Sequence, residues 1–278
     1  MTLEHFVRYE LDGHVAVITL DRPQAANAQT PGILKDLDEA WCRADQDPDV
    51  KVIVFQTTGK HFSAGHDMAG HDPSGVGLGL GPARIDGKLE AESYYDWETR
   101  GYLDYARRWR DIPKPTIAAV QGKCIAAGLM LCWPCDLIIA AENAQFSDPV
   151  ALLGIMGVEY HAHTWELGPR KAKELLFTAR AFTAEEARQT GMVNHVVPLD
   201  ELGSYTMELA RHIAGMDSWA LRMAKRGVNQ TMDTMGFSTS IASSFDMHHL
   251  GHTRARAATG GQTVVMADLA RMKSANKG

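Results

Sequence analysis

The feature that most constrains this chain is the run HFSAGHDM at residues 61–68, which follows an apolar, strand-like run at residues 52–56. Ala64 and Gly65 remove side-chain bulk where the backbone has to turn. Main-chain N–H groups in such a turn can point into a cavity, since they are not needed in a sheet ladder. The run therefore predicts a tight turn at the end of a buried strand.

A second break of the same kind, GKCIAAG at residues 122–128, follows a strand-like run at residues 116–120 and opens into an apolar helical segment. Two strand-exit turns rich in glycine and alanine can aim two backbone N–H donors at one developing negative charge. One such turn is weak evidence. Two of them in this order predict a site that stabilises an oxyanion.

Length and composition set the broad class of the protein. The 278 residues could form one large domain or two small ones, and 45% apolar with 22% charged residues is ordinary for a soluble globular protein. The net charge of −6 argues against a nucleic-acid surface. Residues 1–10 lack the apolar core of a secretory signal, and polar residues interrupt the most apolar region, 116–141, so we expect no membrane span.

The four cysteines are too few for a disulfide scaffold in a chain of this length, so we expect a reduced, cytoplasmic setting. Cys132 and Cys135 have the spacing of a redox pair. They precede a strand, however, whereas a redox pair opens a helix after a strand. We therefore favour two small buried apolar residues over redox or metal chemistry.

Along the chain, strand patterns alternate with helical patterns in the first two-thirds, and helices dominate the last third. This order predicts an α/β core with a helical annex. A glycine-rich run at residues 72–87 is expected to be a mobile loop at the active site. The predicted strands are 14–20, 52–56, 116–120, 136–140 and 193–197; the predicted helices are 31–44, 89–111, 169–178, 184–190, 200–214 and 218–235, with a largely helical stretch at 238–277.

With these segments in place, the sequence resembles the crotonase superfamily, also called the enoyl-CoA hydratase/isomerase family. The resemblance covers nearly the whole chain, and many matches occur in the right order. The residues that carry it are VITLDRP at 17–23 with NA at 27–28, FSAGHD at 62–67, GKCIAAG at 122–128 leading to CD at 135–136, AQFS at 144–147, KA at 171–172 with LLFTA at 175–179, and AEEA at 184–187 through GMV at 191–193.

The resemblance implies an α/β fold, a crotonase-like spiral of ββα turns with a C-terminal helical region. Residues 1–200 would form the core with the acyl-CoA site, and residues 201–278 would form a helical trimerisation region. The expected assembly is a homotrimer or a hexamer. No nucleic-acid or membrane partner is expected.

The resemblance also implies that the substrate is an acyl-CoA thioester. Its carbonyl oxygen would sit between the backbone N–H groups of His66 and Ala127. Coenzyme A would enter as part of the substrate, and neither another cofactor nor a metal is expected. The residues expected to contact coenzyme A are Arg22, Gln24, Ala64, Asp67 and Met68.

The sequence departs from the family where a hydratase needs two glutamates to hold and deprotonate water. Met130 and Val150 stand at those positions, and neither can transfer a proton. The family also contains decarboxylases with histidine where His66 stands, so its ring could contact a substrate carboxylate, or it could serve only as a polar wall. The other candidate acids and bases are Asp148, which could equally be a turn-forming residue before proline, and Glu159 and His161, whose segment could instead cap a helix or pack between subunits.

Other polar and aromatic residues receive less specific predictions. The His161-x-His163 spacing lacks the partners of a metal site. His248, His249 and His252 are expected at the surface or at a trimer interface. The aromatic residues of the helix predicted at residues 89–111 are expected in the core or in the wall of an acyl pocket.

Together these observations predict an acyl-CoA-processing enzyme, a lyase or an isomerase, that stabilises a thioester enolate. The loss of both glutamates leaves the exact reaction open. One alternative is a decarboxylase or hydrolase that uses His66. Another, from a different functional class, is a catalytically silent homologue that only binds acyl-CoA.

Overall fold

The computed structural model describes residues 6–67, 84–85, 88–89, 91–261 and 263–265. The predicted α/β class is confirmed. The main sheet has six strands in the order β1-β2-β3-β6-β8-β11, all parallel except for the antiparallel β1–β2 pair at one edge. Its strands are β1 (Val7–Asp12), β2 (Val15–Leu20), β3 (Val52–Thr57), β6 (Thr116–Val120), β8 (Leu137–Ala141) and β11 (His195–Val197).

A smaller, three-stranded sheet includes part of the second turn, residues 122–128. Strand β9 (Gln145–Ser147) lies between β7 (Lys123–Ile125), to which it runs parallel, and β10 (Phe182–Thr183), to which it runs antiparallel. No periodic pattern predicts these strands, because two or three residues are too few for an alternation of apolar and polar side chains. Two more short strands, β4 (Arg84–Ile85) and β5 (Lys88–Leu89), form an antiparallel pair.

The central strands read as continuous apolar runs because both faces of the main sheet are covered. All six residues of β2 are buried, and Ile18 of that strand is in register with Phe55 of β3. One face packs on a large core that contains Trp41 and Phe55, and the other face packs on a smaller core beneath the C-terminal helices.

Local signals explain where several helices begin. The Thr30 side chain accepts a hydrogen bond from the Ile33 N–H and Pro31 is the first helical residue, as the sequence predicts. The helices are α1 (Pro31–Gln46), α2 (Ala91–Glu98), α3 (Asp104–Asp111), α4 (Leu129–Cys132), α5 (His163–Leu167), α6 (Pro169–Thr178), α7 (Ala184–Thr190), α8 (Leu202–Ala214), α9 (Ser218–Thr234) and α10 (Phe237–Thr259).

The helix predicted at residues 89–111 is interrupted. A π-helical turn, Thr99–Leu103, separates α2 from α3. Such wide turns shift the side chains that follow them and often occur at functional sites. The aromatic residues of this region belong to the core, as predicted, with Trp97 only 1% exposed.

The C-terminal third is helical as predicted, and the division of the chain at residue 200 stays a prediction. Within the described ranges, no helix is long and apolar enough to cross a membrane. Most of the loop predicted at residues 72–87 lies outside the described residues.

Candidate active site

The two predicted turns lie against each other. The Ser63 N–H donates to the Lys123 carbonyl at 3.1 Å, and the Ser63 carbonyl accepts from the Ile125 N–H at 2.9 Å. Gly65 has a φ of +89°, and a Cβ atom there would lie 2.9 Å from the Ile125 oxygen and 3.3 Å from the Ala127 nitrogen. The approach of the second turn therefore requires glycine in the first.

Gln29 joins the two turns from the interior. Its Nε2 donates to the Ala127 carbonyl at 3.0 Å and lies 3.1 Å from the Ser63 hydroxyl. Its backbone N–H donates to the Gly65 carbonyl, and its carbonyl accepts from the Asp67 N–H. The sequence contains no signal for this role, because both side-chain partners are distant along the chain.

Two of the residues predicted to contact coenzyme A are paired with each other. Arg22 Nη1 lies 2.6 Å from Asp67 Oδ2 and also donates to the Ala28 carbonyl at 3.0 Å. The side chains of Arg22 and Asp67 are 20% and 12% exposed. The pair fastens the first turn to the exit of β2.

The other residues predicted to contact coenzyme A lie near this pair in the chain or outside the described part. Gln24 is exposed in a short 3-10 helix, Pro23–Ala25, at the exit of β2. Ala64 is exposed on the turn, and its N–H donates to the Ala26 carbonyl. Met68 lies outside the described residues.

Apolar side chains stand at the positions of the two missing glutamates, and Asp148, beside the second of them, is already engaged. Met130 is 4% exposed in α4, and Val150 lies in a 3-10 helix, Pro149–Leu153. Asp148 caps that helix, accepts from the Val158 N–H at 2.9 Å and lies 2.9 Å from His163 Nε2. Burial works to raise the pKa of Asp148, but His163 and the Val158 N–H outweigh it and lower that pKa.

The structure brings His66 and Glu159 together, two of the residues that the sequence singled out. His66 Nε2 lies 3.3 Å from Glu159 Oε1. The His66 ring stacks on the Tyr102 ring, with centroids 3.9 Å apart and planes 18° from parallel. Glu159 is buried, which works to raise its pKa, but the adjacent His66 outweighs burial and the pKa is lowered. A buried carboxylate thus lies beside an imidazole at the first turn.

The prediction that His248, His249 and His252 lie at a surface or an interface is wrong for this chain. They are 4%, 7% and 7% exposed, because α10 packs against α2. Their Nε2 atoms lie 3.4, 3.0 and 3.7 Å from Oε2 of Glu98, which is 2% exposed at the end of α2. The sequence did not single out Glu98. Its spacing of four residues from Tyr94 places both on one face of a helix rich in aromatic residues, and this was the available sign that Glu98 faces the core.

Hydrogen bonds fix the protons of two of these histidines. His248 Nδ1 lies 2.7 Å from the Gly157 carbonyl and His252 Nδ1 lies 2.6 Å from the Thr263 carbonyl. Because a carbonyl only accepts, each Nδ1 carries a hydrogen. The two Nε2 atoms are 2.8 Å apart, so one proton or one cation must lie between them.

The pKa values of this group follow its surroundings. Burial opposes protonation of His248, but Glu98 beside it raises the His248 pKa to about 9. Burial also works to raise the pKa of Glu98, yet His248 and His249 hold it well below its ordinary value. Burial lowers the pKa of His252.

The last candidate, His161, lies in a different environment. Its ring centroid is 4.2 Å from that of His163, and burial lowers its pKa to about 3. His161 therefore stays neutral at physiological pH. Its role as an acid or base stays a prediction.

The cysteine pair shows no sign of an activated thiol, and only one of its members is fully buried. Cys132 is fully buried and Cys135 is half-buried. Burial raises the pKa of both thiols well above the ordinary value, so neither is an activated thiolate.

Comparisons with known proteins agree with this architecture. The family model described as enoyl-CoA hydratase/isomerase matches residues 10–77 and 83–263. EchA13 of Mycobacterium tuberculosis, which carries the name of an enoyl-CoA hydratase, is 43% identical over 268 residues, or 92% of this chain and 84% of its own.

Two solved structures, of proteins that are also named enoyl-CoA hydratases, are similar to this chain over nearly its whole length. The crystal structure of a Mycobacterium smegmatis protein is 56% identical with a TM-score of 0.86, covering 93% of this chain and 99% of its own. The crystal structure of a Mycobacterium thermoresistibile protein is 56% identical with a TM-score of 0.85, covering 92% of this chain and 100% of its own. The predicted crotonase-like fold is confirmed.

Proposed function

The chain belongs to the enoyl-CoA hydratase/isomerase family, and from this premise we propose that it is an enzyme acting on an acyl-CoA thioester. Coenzyme A enters as part of the substrate, beside the exit of β2 and the first turn. The Arg22–Asp67 pair, with Gln24, Ala64 and Met68, forms the proposed contact region.

We further propose that the thioester carbonyl oxygen binds between the backbone N–H groups of His66 and Ala127. The contact between Gly65 and the second turn supports this proposal, because it brings the two turns within van der Waals distance. Fixed N–H dipoles stabilise the charge that develops when the thioester becomes an enolate. Removing one such donor costs about 10²–10³ in turnover in other enzymes.

The observation that carries the proposed chemistry is the 3.3 Å contact between His66 and the buried Glu159. Met130 and Val150 cannot transfer protons, so a hydration mechanism with two glutamates has no support here. His66 and Glu159 together form an acid–base pair of the right chemistry.

The proposed step is a proton transfer at the carbon next to the thioester carbonyl. The pair accepts this proton, and the C–H bonding electrons move into the carbon–carbon bond of the enolate while the carbonyl oxygen gains the negative charge. Return of the proton to carbon completes an exchange or an isomerisation. A decarboxylase is less favoured, because His66 Nε2 already faces the Glu159 carboxylate and would have to bind a second one.

The test follows deuterium uptake in D₂O. The full chain is incubated with butyryl, malonyl-type and 3-enoyl thioesters of coenzyme A, whose sp³ carbon next to the carbonyl carries the hydrogens that this step removes, and products are identified by mass spectrometry. We expect deuterium at the carbon next to the carbonyl. Glu159→Gln and His66→Gln should each slow uptake by about 10²–10⁴-fold, while the exposed Glu142→Gln serves as a matched control.

Each outcome separates the alternatives. Binding of the thioesters without exchange would establish the silent homologue. Release of carbon dioxide that depends on His66 would establish a decarboxylase, and release of free coenzyme A would establish a hydrolase. If Glu159→Gln took up deuterium as fast as the parent chain, Glu159 would have no part in the proton transfer.

A further inference from the structure

We propose that Glu98, His248 and His252 form a binding site for a divalent transition-metal ion, with Zn²⁺ as the best geometric match. The site lies between the end of α2 and the middle of α10. It does not depend on the proposed reaction, because neither turn nor the His66–Glu159 pair supplies a ligand, although Glu159 Oε1 lies 3.8 Å from His248 Nε2.

The distances from Glu98 to the two histidines are close to the edges of a tetrahedral shell, whereas the two histidine nitrogens lie closer together. Glu98 Oε2, His248 Nε2 and His252 Nε2 are separated by 2.8, 3.4 and 3.7 Å. Zinc with bonds of about 2.0–2.1 Å has tetrahedral ligand–ligand edges of about 3.3–3.4 Å. The same bond length in an octahedral shell gives edges of about 2.9 Å. One tetrahedral ion can therefore bind all three atoms once the two Nε2 atoms move apart by about 0.5 Å.

The hydrogen bonds of the two histidines prepare them as ligands. His248 and His252 each have Nδ1 against a backbone carbonyl, that of Gly157 or Thr263. A histidine that binds a metal through Nε2 commonly donates its other N–H to such an acceptor, which fixes the ring and leaves the Nε2 lone pair free. Both Nε2 atoms lie within 3.7 Å of Glu98 Oε2.

Buried polar atoms without aligned hydrogen bonds also favour a bound cation at this site. Glu98 Oε2 and His249 Nε2 are 3.0 Å apart, yet neither forms an aligned hydrogen bond with any residue in the described part of the chain. A carboxylate oxygen that is buried and lacks an aligned hydrogen bond is costly, even with histidines around it. A metal ion would neutralise Glu98 and would replace the proton otherwise shared by His248 and His252.

The test measures metal binding directly. Full-length protein without an affinity tag is stripped with a chelator and dialysed, then titrated with Zn²⁺ by calorimetry and with Co²⁺ by visible absorption. We expect one ion per chain and a tetrahedral Co²⁺ spectrum. His252→Ala and the nearly isosteric Glu98→Gln should each weaken Zn²⁺ binding by at least about 100-fold.

Two controls separate this site from other effects. His195 is exposed, so His195→Ala tests adventitious binding to surface histidines and should leave the affinity unchanged. His66→Gln should lose proton exchange but keep metal binding, so failure of one proposal is distinguishable from failure of the other. Circular dichroism checks that each variant folds. The proposal is overturned if the stripped protein takes up no ion, or if both Glu98→Gln and His252→Ala bind Zn²⁺ as tightly as the parent chain; a proton shared by the histidines would then be the occupant.

Discussion

Gly65 and Ala127 come so close that a Cβ atom on Gly65 would lie 3.3 Å from the Ala127 nitrogen. The same atom would meet the Ile125 oxygen at 2.9 Å, a separation that requires one of the two turns to move. The positive φ of Gly65 adds to this restriction. Both the conformation and the spacing of the two turns thus depend on one missing side chain.

Gly65→Ala should separate the turns and lower proton exchange by about 10²-fold or more, if each turn supplies a donor. Gly191→Ala is a matched control, because Gly191 has a φ of +88° with nothing within 4 Å of the new Cβ atom. Both variants should lose about 1–3 kcal/mol of stability from the strained backbone. Equal exchange rates in the two variants would argue against the proposed oxyanion site.

Asp67→Asn removes the charge that holds Arg22 at the first turn. Because the two side chains are only 12% and 20% exposed, we expect a loss of about 1–3 kcal/mol in the free energy of unfolding, measured with urea. Glu39→Gln breaks the exposed Lys35–Glu39 pair and should cost less than about 0.5 kcal/mol. Losses of equal size in the two variants would show that the Arg22–Asp67 pair is no more than a surface contact.

The elements with strong local signals could be predicted from the sequence. The Thr30 cap and Pro31 located the start of α1, and the bounds predicted for α6, α7 and β6 are those observed. The short strands β7, β9 and β10 were missed because their pairing depends on distant partners. The π-helical turn Thr99–Leu103 was also missed, since no proline or glycine pair marks its start.

The candidate site could be predicted only in part. The small residues of the two turns have a local cause, so the sequence located them. Gln29 acts through contacts with Ser63 and Ala127, which are far along the chain. The histidines of α10 have the spacing of a surface helix, and only the packing of α2 shows that they surround Glu98.

The assembly stays a prediction with a direct test. Large apolar side chains on α9 and α10 are exposed in the single chain, among them Trp219 at 65% and Leu250 at 68%. Such side chains favour a subunit interface, so size-exclusion chromatography with light scattering should show a trimer or hexamer. Leu250→Asp should shift the protein toward monomer, whereas Leu11→Asp on the edge strand should not. A monomeric parent chain would contradict the predicted assembly.

Glu166 should make the stability of the protein depend on pH. It lines a cleft of about 460 Å³ between α9 and the core, where burial raises its pKa from 4.5 to about 8. Between these values the folded chain holds a proton that the unfolded chain releases. The contribution of Glu166 to the free energy of unfolding therefore falls as pH rises through this window and is constant above it.

Glu166→Gln keeps the shape of the side chain and removes the ionisation. Relative to the parent chain, the variant should gain about 2–4 kcal/mol in the free energy of unfolding between pH 4.5 and pH 8.5, less than the full shift would give because the side chain keeps some contact with solvent. Urea unfolding at fixed protein concentration across this range measures the difference. Glu142→Gln, at an exposed position, is the matched control for replacing a glutamate with glutamine. A pH-independent difference for Glu166→Gln would mean that this carboxyl group ionises in the folded chain as it does in the unfolded one.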